Sequence, residues 1–550
     1  MTEPLRVTWV QPEDLLGHEL RQAAEDGRDA TAVAARWHAG GGPASPPHGG
    51  ASTPPAPAHL RTLAVTLLDE LAELPSPLAA DEPTELAEIV RACGDAWPTA
   101  SASATTARGR GGLAPDPGAG SADDHAPSTT TPRNVPPDPT DATIAGREGP
   151  PPVPRKGMSG GHAPSTTAPR SAPPGPTDAI IAEPGGPPPV SGRGGAGERT
   201  PLSTHQLHAA WLGRAAGCLL GKPVEKLPLA AIRALARATG NWPLNSWFTA
   251  EGVPADLAAA HPWNRRSAAN SLAENINGMP EDDDLNYPLL NVLLLQRYGR
   301  GFRTADVARL WLDQLPAGRT FTAERVAYRN LLSGIEPPDT ARHHNPFREW
   351  IGAAIRADVH GWTHPGDPAS AAAQAHRDAA LTHTANGVYS AMFVAGTIAA
   401  AGGGADVHAS LRAGLAVVPP RSRLAEAVRD GIRTARVHDD FDTVVDRLHA
   451  THGRYHWVHA IPNAALIAAA LTHADGDFTG SICRAVSGGW DTDSNGATAG
   501  SFAGLLAGHP DRLPERWTAP LKNRLATSVV GFDGTGFDEL ARLTQEALRP

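Results

Sequence analysis

The chain has 550 residues and a formal net charge of −10, from 48 basic and 58 acidic side chains, which argues against a general nucleic-acid-binding protein. Its three cysteines, Cys93, Cys218 and Cys483, lie far apart without CxxC spacing, so the sequence predicts neither a disulfide framework nor a zinc site. No basic and apolar leader opens the chain, and no apolar run reaches about 18 residues, so we expect a cytoplasmic protein without a membrane span.

Residues 1–98 contain helical patterns, such as PEDLLGHELRQAAEDG and HLRTLAVTLLDELAEL, but no chemical motif. We interpret them as an accessory segment that packs on the rest of the chain or recruits a partner. Residues 99–202 are rich in Pro, Gly, Ser and Thr, and an imperfect repeat begins at His125 and again at His162. Such a composition buries too little apolar surface to offset the entropy of ordering, so a disordered linker is predicted, with a Pro-rich docking segment as the alternative.

Residues 203–550 show one amphipathic helical pattern after another and no run of alternating strands. Examples are THQLHAAWLGRAAGCLLG, YPLLNVLLLQRYG, NPFREWIGAAIRAD, VYSAMFVAGTIAAA and NGATAGSFAGLLAG. An all-α domain is therefore predicted for this part of the chain.

Two of these helices carry glycines at every fourth position: Gly213, Gly217 and Gly221 in the first, and Gly496, Gly500, Gly504 and Gly508 in the last. A glycine inside a helix costs about 1 kcal/mol relative to alanine, and close packing of two backbones would offset that cost. We expect the two helices to pack against each other. In an antiparallel pair, Glu225 beyond the first helix would lie near Asp491 and Asp493. We expect the second helix to start just after WDTDS, with Ser494 or Asn495 as its N-cap.

The stretch GGWDTDSNG by itself resembles half of a calcium loop. Asp491, Asp493, Asn495 and Gly496 match the early positions of an EF-hand loop, but the twelfth position, which must be a bidentate Glu, is Phe502. A phosphatase-type DxDxT loop also fits poorly, because Asn495 takes the place of its Thr. A second acidic cluster, Glu281 to Asp284, directly precedes the apolar helix LNYPLLNVLLL.

The two clusters and Glu225 supply oxygen ligands with no paired His or Cys. Buried carboxylates at this density need cations, and an oxygen-only set favours magnesium or manganese over zinc. Two such clusters could hold two divalent ions close together.

These motifs resemble the ADP-ribosylglycohydrolase family, which includes the enzyme that reactivates ADP-ribosylated dinitrogenase reductase. GRAAGCLLGKPVE is similar to the family's opening Gly-rich helix with its Glu, PEDDDLNY to its Thr/Ser-Asp-Asp segment, and GGWDTDSNGATAGSFAG to its closing Asp-Thr-Asp-Thr-Asn segment. The resemblance covers residues 205–545. It implies an orthogonal all-α helical bundle with a dinuclear magnesium or manganese site in a cleft.

When the family's metal ligands are matched to this sequence position by position, the resemblance implies six ligands: Asp282, Asp283, Asp284, Asp491, Asp493 and Ser494. Asp282 stands where the family has Thr or Ser, and an alignment shifted by one residue would use Glu281 instead. Glu225 is the implied general acid or base, with Asp283 as a second catalytic residue. The segment HTANGVYSAMF is similar to the family's loop along the ADP-ribose, which makes binding candidates of Asn386, Gly387, Tyr389 and Ser390.

The implied reaction is hydrolysis of a glycosidic bond to ADP-ribose, carried by a protein side chain or by a small molecule. Paired aspartate clusters with magnesium also serve phosphoryl transfer, so a nucleotide phosphohydrolase is the first alternative. A catalytically silent ADP-ribose-binding module is the second. We expect His343, His344 and His383 to be structural.

Overall fold

The computed structural model describes residues 10–43, 49–50, 56–98 and 200–548, and within these ranges the fold is all-α, as predicted. Extended pairing in this part of the chain is limited to two isolated bridges, Met279 with Leu525 and Trp350 with His459. Apart from residues 200–202, the predicted disordered linker lies outside the described residues. None of the described helices has both the length and the apolar character needed to cross a membrane.

The described residues form 22 α-helices, joined by turns and short 3₁₀ segments. In chain order they are α1 Pro12–Glu25, α2 Thr31–Ala39, α3 Ala58–Ala72, α4 Leu86–Cys93, α5 Thr204–Gly221, α6 Leu229–Ala238, α7 Ala255–Ala260, α8 Ala268–Ser271, α9 Asp283–Tyr298, α10 Thr304–Gln314, α11 Thr322–Leu332, α12 Asp358–Trp362, α13 Pro368–Ala379, α14 Ala385–Gly402, α15 Val407–Ala416, α16 Arg423–Val437, α17 Phe441–His452, α18 Ala460–Ala474, α19 Phe478–Ser487, α20 Thr492–Ala507, α21 Glu515–Thr518 and α22 Phe537–Ala547.

Helices α5 and α20 pack antiparallel in the core with their glycines in contact, which confirms the prediction from the glycine spacing. A Cβ atom added to Gly213 would lie 2.1 Å from the carbonyl oxygen of Gly500, and one added to Gly217 would lie 1.8 Å from that of Gly496. Contacts this short exclude any side chain, so the backbones approach as closely as only glycine allows. Gly508 is the exception, because it ends α20 with φ +74° and does not face α5.

Two local predictions were wrong. The N-cap of α20 is Asp491 and the helix begins at Thr492, whereas Ser494 or Asn495 was the expected N-cap. As a result, Asp493 and Ser494 lie within the first helical turn. The segment NPFREWIGAAIRAD does not form one helix, because Ile351–Arg356 is a 3₁₀ segment and α12 follows it.

The described residues 10–43, 49–50 and 56–98, here called the N-terminal segment, belong to the same compact unit as residues 200–548. Buried ion pairs join the two parts: Glu82 receives hydrogen bonds from Arg423 (Nη2, 2.7 Å), and Glu19 receives one from Arg348 (Nη1, 2.8 Å). The N-terminal segment therefore packs on the core.

Candidate functional site

Three helix ends meet where the sequence places its carboxylates: the C-terminus of α5 and the N-termini of α9 and α20. The hydroxyl of Thr492 donates to the carbonyl of Gly221 at 2.8 Å, which ties α20 to the end of α5. The Ser494 hydroxyl donates to Asp284 Oδ2 at 3.2 Å, which ties α20 to α9. The glycine packing of α5 and α20 thus fixes the positions from which the acidic side chains project.

The first group of potential ligands consists of Cys218, Asp282 and Asp284, whose ligand atoms lie within 4.8 Å of one another. Asp282 is the N-cap of α9 and its Oδ1 accepts from the amide of Asp284 at 2.9 Å. Its Oδ2 accepts a short hydrogen bond from Lys222 Nζ. Arg214 donates to Asp284 Oδ1 at 3.1 Å and to the Asp284 carbonyl at 2.6 Å. Both carboxylates of this group are therefore paired with buried protein cations.

The second group consists of Glu225, Asp491 and Asp493, whose carboxylate oxygens also lie within 4.8 Å of one another. Glu225 follows the 3₁₀ turn Lys222–Val224 in an extended conformation, and its carboxylate accepts from Asn264 Nδ2 at 2.7 Å. Its other oxygen pairs with Lys226 Nζ at 2.9 Å. Asp491 and Asp493 are buried, and no ion pair with Lys, Arg or His reaches them from the described residues.

Glu281 and Asp283 point in different directions from the start of α9. The carboxylate of Glu281 pairs with Arg319 at 2.9 Å and accepts from Asn286, so it turns away from the other acids. Burial and the charges of Asp282 and Asp493 raise the pKa of Asp283, so its carboxyl belongs to the same acidic cluster. The acidic site thus contains residues Asp282 to Asp284, whereas the side chain of Glu281 forms an ion pair with Arg319 at the surface.

The pKa values of the carboxyls depend on burial and mutual repulsion as well as on these ion pairs. Burial, and then the charge of Asp282, raises the pKa of Asp284 well above its ordinary value, although Arg214 acts to lower it. Burial would raise the pKa of Asp282, but Lys222 and the Asp284 amide more than offset that effect and lower it. Burial, and then the charge of Asp282, raises the pKa of Asp283 well above its ordinary value. Burial and the charge of Asp493 do the same to Asp491.

Asp493 itself has its pKa raised to about 7, first by burial and then by the negative charges of Glu225 and Asp282. Buried like charges repel, and an added cation that binds them would relieve the repulsion. The second group has oxygen-only ligands, and its two aspartates form no ion pair with a protein cation within the described residues, so it fits a hard divalent cation such as magnesium or manganese.

The structure does not bring the four predicted ADP-ribose candidates together with the acidic groups. Asn386, Gly387, Tyr389 and Ser390 lie buried in the first turns of α14. Asn386 Nδ2 donates to Glu82 of the N-terminal segment at 2.9 Å, and the hydroxyl of Tyr389 donates to the carbonyl of Pro83. The N-terminal segment therefore covers the side chains of Asn386 and Tyr389, and the assignment of the four residues to ADP-ribose remains a prediction that this arrangement does not support.

The three predicted structural histidines make contacts away from the acidic groups, although His343 is exposed and His344 is partly buried. The rings of His343 and His344 stack with centroids 4.1 Å apart, and His344 Nε2 lies 2.7 Å from Asp69 Oδ1. His383 is fully buried, with its Nδ1 2.6 Å from the hydroxyl of Thr382.

Sequence reasoning missed the two cations of the first group, Arg214 and Lys222. Arg214 is fully buried on α5 and also pairs with Asp358 at 2.6 Å. A signal for Lys222 was available, because it is one of only four lysines in the chain and stands three residues before Glu225. No comparable signal singles out Arg214 among the many arginines.

The comparison with known proteins decides the family. A family profile described as ADP-ribosylglycohydrolase matches residues 200–549. The chain belongs to the ADP-ribosylglycohydrolase family. A solved structure titled "ADP-ribosylglycohydrolase-related protein complex" is similar at 19% sequence identity and a TM-score of 0.38, over 63% of this chain and 97% of that chain. No curated protein matches the sequence significantly. Membership of this ADP-ribosylglycohydrolase family indicates a glycohydrolase.

Proposed function

We propose that this protein is a metal-dependent hydrolase that cleaves the glycosidic bond between ADP-ribose and a protein side chain or a small-molecule leaving group. The observation that carries the proposal is the meeting of six carboxylates at three helix ends. Four of the six, those of Asp283, Asp284, Asp491 and Asp493, have raised pKa values, first through burial and then through the charges of neighbouring carboxylates. Family membership supplies the substrate class.

Glu225 is the residue best placed for proton transfer. Its side chain is 19% exposed, whereas Asp491 and Asp493 are buried, so a substrate can reach it from solvent. Asn264 and Lys226 each hold one of its oxygens, which fixes the orientation of the carboxylate. Cleavage of a glycosidic bond requires a carboxyl group to move a proton, and we assign that role to Glu225.

Asp283 is the second candidate for a direct role, because it is less buried than its neighbours Asp282 and Asp284. The second group, Glu225, Asp491 and Asp493, would hold magnesium or manganese with help from Asp283. A divalent cation bound there would engage the ribose hydroxyls and lower the pKa of a bound water.

We also propose that the protein acts in the cytoplasm on an ADP-ribose-containing substrate, without nucleic-acid or membrane partners. All three cysteines are free and buried, which suits a reducing compartment.

The test is to incubate the purified protein with magnesium or manganese and a panel of substrates: arginine-linked and serine-linked ADP-ribosyl peptides and small ADP-ribose derivatives. We expect free ADP-ribose, identified by mass. Asp493→Asn and Asp283→Asn should each lower the rate by about 100-fold or more, in the range typical of lost acid-base or metal catalysis. The matched control is Asp313→Asn, since Asp313 is an exposed partner of Arg297, and it should retain full activity.

Two outcomes would contradict the proposal. Release of AMP or inorganic phosphate, with the ribose still bound to its leaving group, would identify a phosphohydrolase. Tight binding of ADP-ribose without turnover of any substrate in the panel would identify a binding module.

A further inference from the structure

Lys222 places an ammonium group inside the acidic site. Its Nζ donates a short hydrogen bond to Asp282 Oδ2 and lies 3.3 Å from the carbonyl oxygen of Glu281. The residue is only 7% exposed. A buried lysine is costly unless it is paired, and here the pairing is with a carboxylate that the family resemblance assigns to a metal ion.

The backbone that carries Lys222 is held firmly. A Cβ atom on the preceding Gly221 would lie 2.3 Å from the carbonyl carbon of Thr492, so the backbone at the end of α5 is in direct contact with that of α20. The following residue, Pro223, has its φ fixed by its ring. The side chain of Lys222 therefore starts from a defined point between α5, α9 and α20.

The oxygens of the first group are already occupied by protein donors. Asp282 accepts from the Asp284 amide on one oxygen and from Lys222 on the other. Asp284 accepts from Arg214 on Oδ1 and from the Ser494 hydroxyl on Oδ2. The third member, Cys218, is a buried thiol, and sulfur is a poor ligand for magnesium or manganese.

Among the described residues, the second group is different: its one ion pair with a protein cation joins Glu225 to the half-exposed Lys226, and the Lys222 ammonium acts on Asp493 through its charge without an ion pair. A divalent ion at Asp282 would sit against the Lys222 ammonium, and like charges at contact distance in a buried site repel strongly. We propose that the ammonium of Lys222 takes the place of one ion of the pair that the family resemblance implies, so that this chain binds a single divalent cation at Glu225, Asp491 and Asp493. The inference rests on the proposed metal-dependent function and fixes the number and place of its ions.

The experiment counts ions directly and does not depend on activity. Full-length protein is stripped with EDTA and titrated with MnCl₂, and bound manganese is measured by equilibrium dialysis with elemental analysis and by electron paramagnetic resonance of the free ion. We expect one manganese per chain for the unmodified protein and two for Lys222→Met. The matched control, Lys522→Met, alters an exposed lysine whose Nζ contacts Asn277, and it should bind one.

Three further variants test the role of the ammonium and the position of the ion. Lys222→Arg keeps a cation beside Asp282 and should bind one manganese. Asp493→Asn should lose the ion, whereas Asp282→Asn should keep it. Circular dichroism and the unfolding midpoint establish that each variant is folded.

The results separate failure of this inference from failure of the proposed function. Two ions in the unmodified protein, one ion in folded Lys222→Met, or loss of the ion in folded Asp282→Asn with retention in Asp493→Asn would each overturn the inference while leaving metal dependence intact. No bound manganese in the unmodified protein would overturn both. Should Lys222→Met not fold, the count for the unmodified protein still decides between one ion and two.

Discussion

The hydroxyl of Ser494 donates to Asp284 Oδ2 at 3.2 Å, although the two residues are 210 positions apart in the chain. The contact exists because α20 packs against α5, whose Arg214 in turn holds Asp284. The candidate site is therefore a consequence of helix packing in the core, and disturbing that packing should disturb the site.

Gly217→Ala should destabilise the protein strongly. A methyl group there would lie 1.8 Å from the carbonyl oxygen of Gly496, so α5 and α20 must separate. Overpacking of this kind costs about 1–3 kcal/mol or more. Urea unfolding measures the loss. The control is Gly318→Ala, where the added methyl group meets nothing within 4 Å and the free energy of unfolding should change little. Equal stability of the two variants would contradict the account of the packing.

Asp493→Asn should stabilise the metal-free protein and remove its response to manganese. At pH 8, above the pKa of about 7 that burial and nearby carboxylates give Asp493, the unmodified protein carries repelling buried charges. Removing one should stabilise the folded protein by about 1 kcal/mol, which corresponds to a rise of about 1 °C in the thermal midpoint of a protein of this size. Added MnCl₂ should raise the midpoint of the unmodified protein, since a ligand that binds the folded state stabilises it. The same rise in Asp493→Asn would count against a metal role for this residue.

Glu25 should make stability depend on pH. Burial, and next the charge of Glu349, raises its pKa to about 8 in the folded protein. Below its ordinary pKa of 4.5 the carboxyl is neutral in both the folded and the unfolded state. As the pH rises from 4.5 to about 8, only the unfolded state releases the proton freely, so stability is lost across this window. The other charged or titratable groups that face Glu25 are Arg21, Asp26, Arg423 and His459.

Glu25→Gln removes this contribution, so its free energy of unfolding should fall less between pH 5 and pH 8 than that of the unmodified protein. Urea unfolding at each pH unit measures the slope. Glu73→Gln, at an exposed position at the end of α3, should leave the slope unchanged. A slope in Glu25→Gln that matches the unmodified protein would show that Glu25 titrates normally.

Glu82→Ala should loosen the N-terminal segment from the core. Its carboxylate is the buried acceptor for Arg423 and Asn386. Truncation would leave Asn386 Nδ2 and Arg423 Nη2 with Glu349 as their carboxylate acceptor, while Arg423 Nη1 keeps the carbonyl of Glu25. Breaking a buried ion pair costs about 3–5 kcal/mol. Unfolding and the rate of trypsin cleavage after Arg28 report the effect. The exposed pair of Glu88 and Arg91 gives the control: Glu88→Ala should cost less than about 1 kcal/mol.

The sequence predicted correctly which helices and side chains meet where a local residue pattern reflects how two helices pack. Glycine at every fourth position predicted that α5 and α20 meet, and the meeting of Glu225 with Asp491 and Asp493 followed from it. The pattern could not place Arg214 beside Asp284, because that contact depends on how α9 approaches the pair. Similarly, nothing in the residues around Asn386 indicates that Glu82, some 300 positions away, covers it.

Two helix boundaries were predicted incorrectly for a related reason. Asp491 is the N-cap of α20, but its side chain makes no capping hydrogen bond. The usual preference for Ser or Asn at the N-cap therefore predicted a helix start that lies too late in the sequence. The segment around Arg356 has a helical pattern, yet its guanidinium bonds Glu324 and Asp378 in the core, and these tertiary contacts accompany a 3₁₀ segment.

The most direct test of the central claim is a crystal structure of the full chain with MnCl₂, with the ion located by anomalous diffraction. We expect an anomalous peak in direct contact with the carboxylates of Asp491 and Asp493, beside Glu225. Absence of any peak there, with the two aspartates directed to separate surfaces, would contradict it.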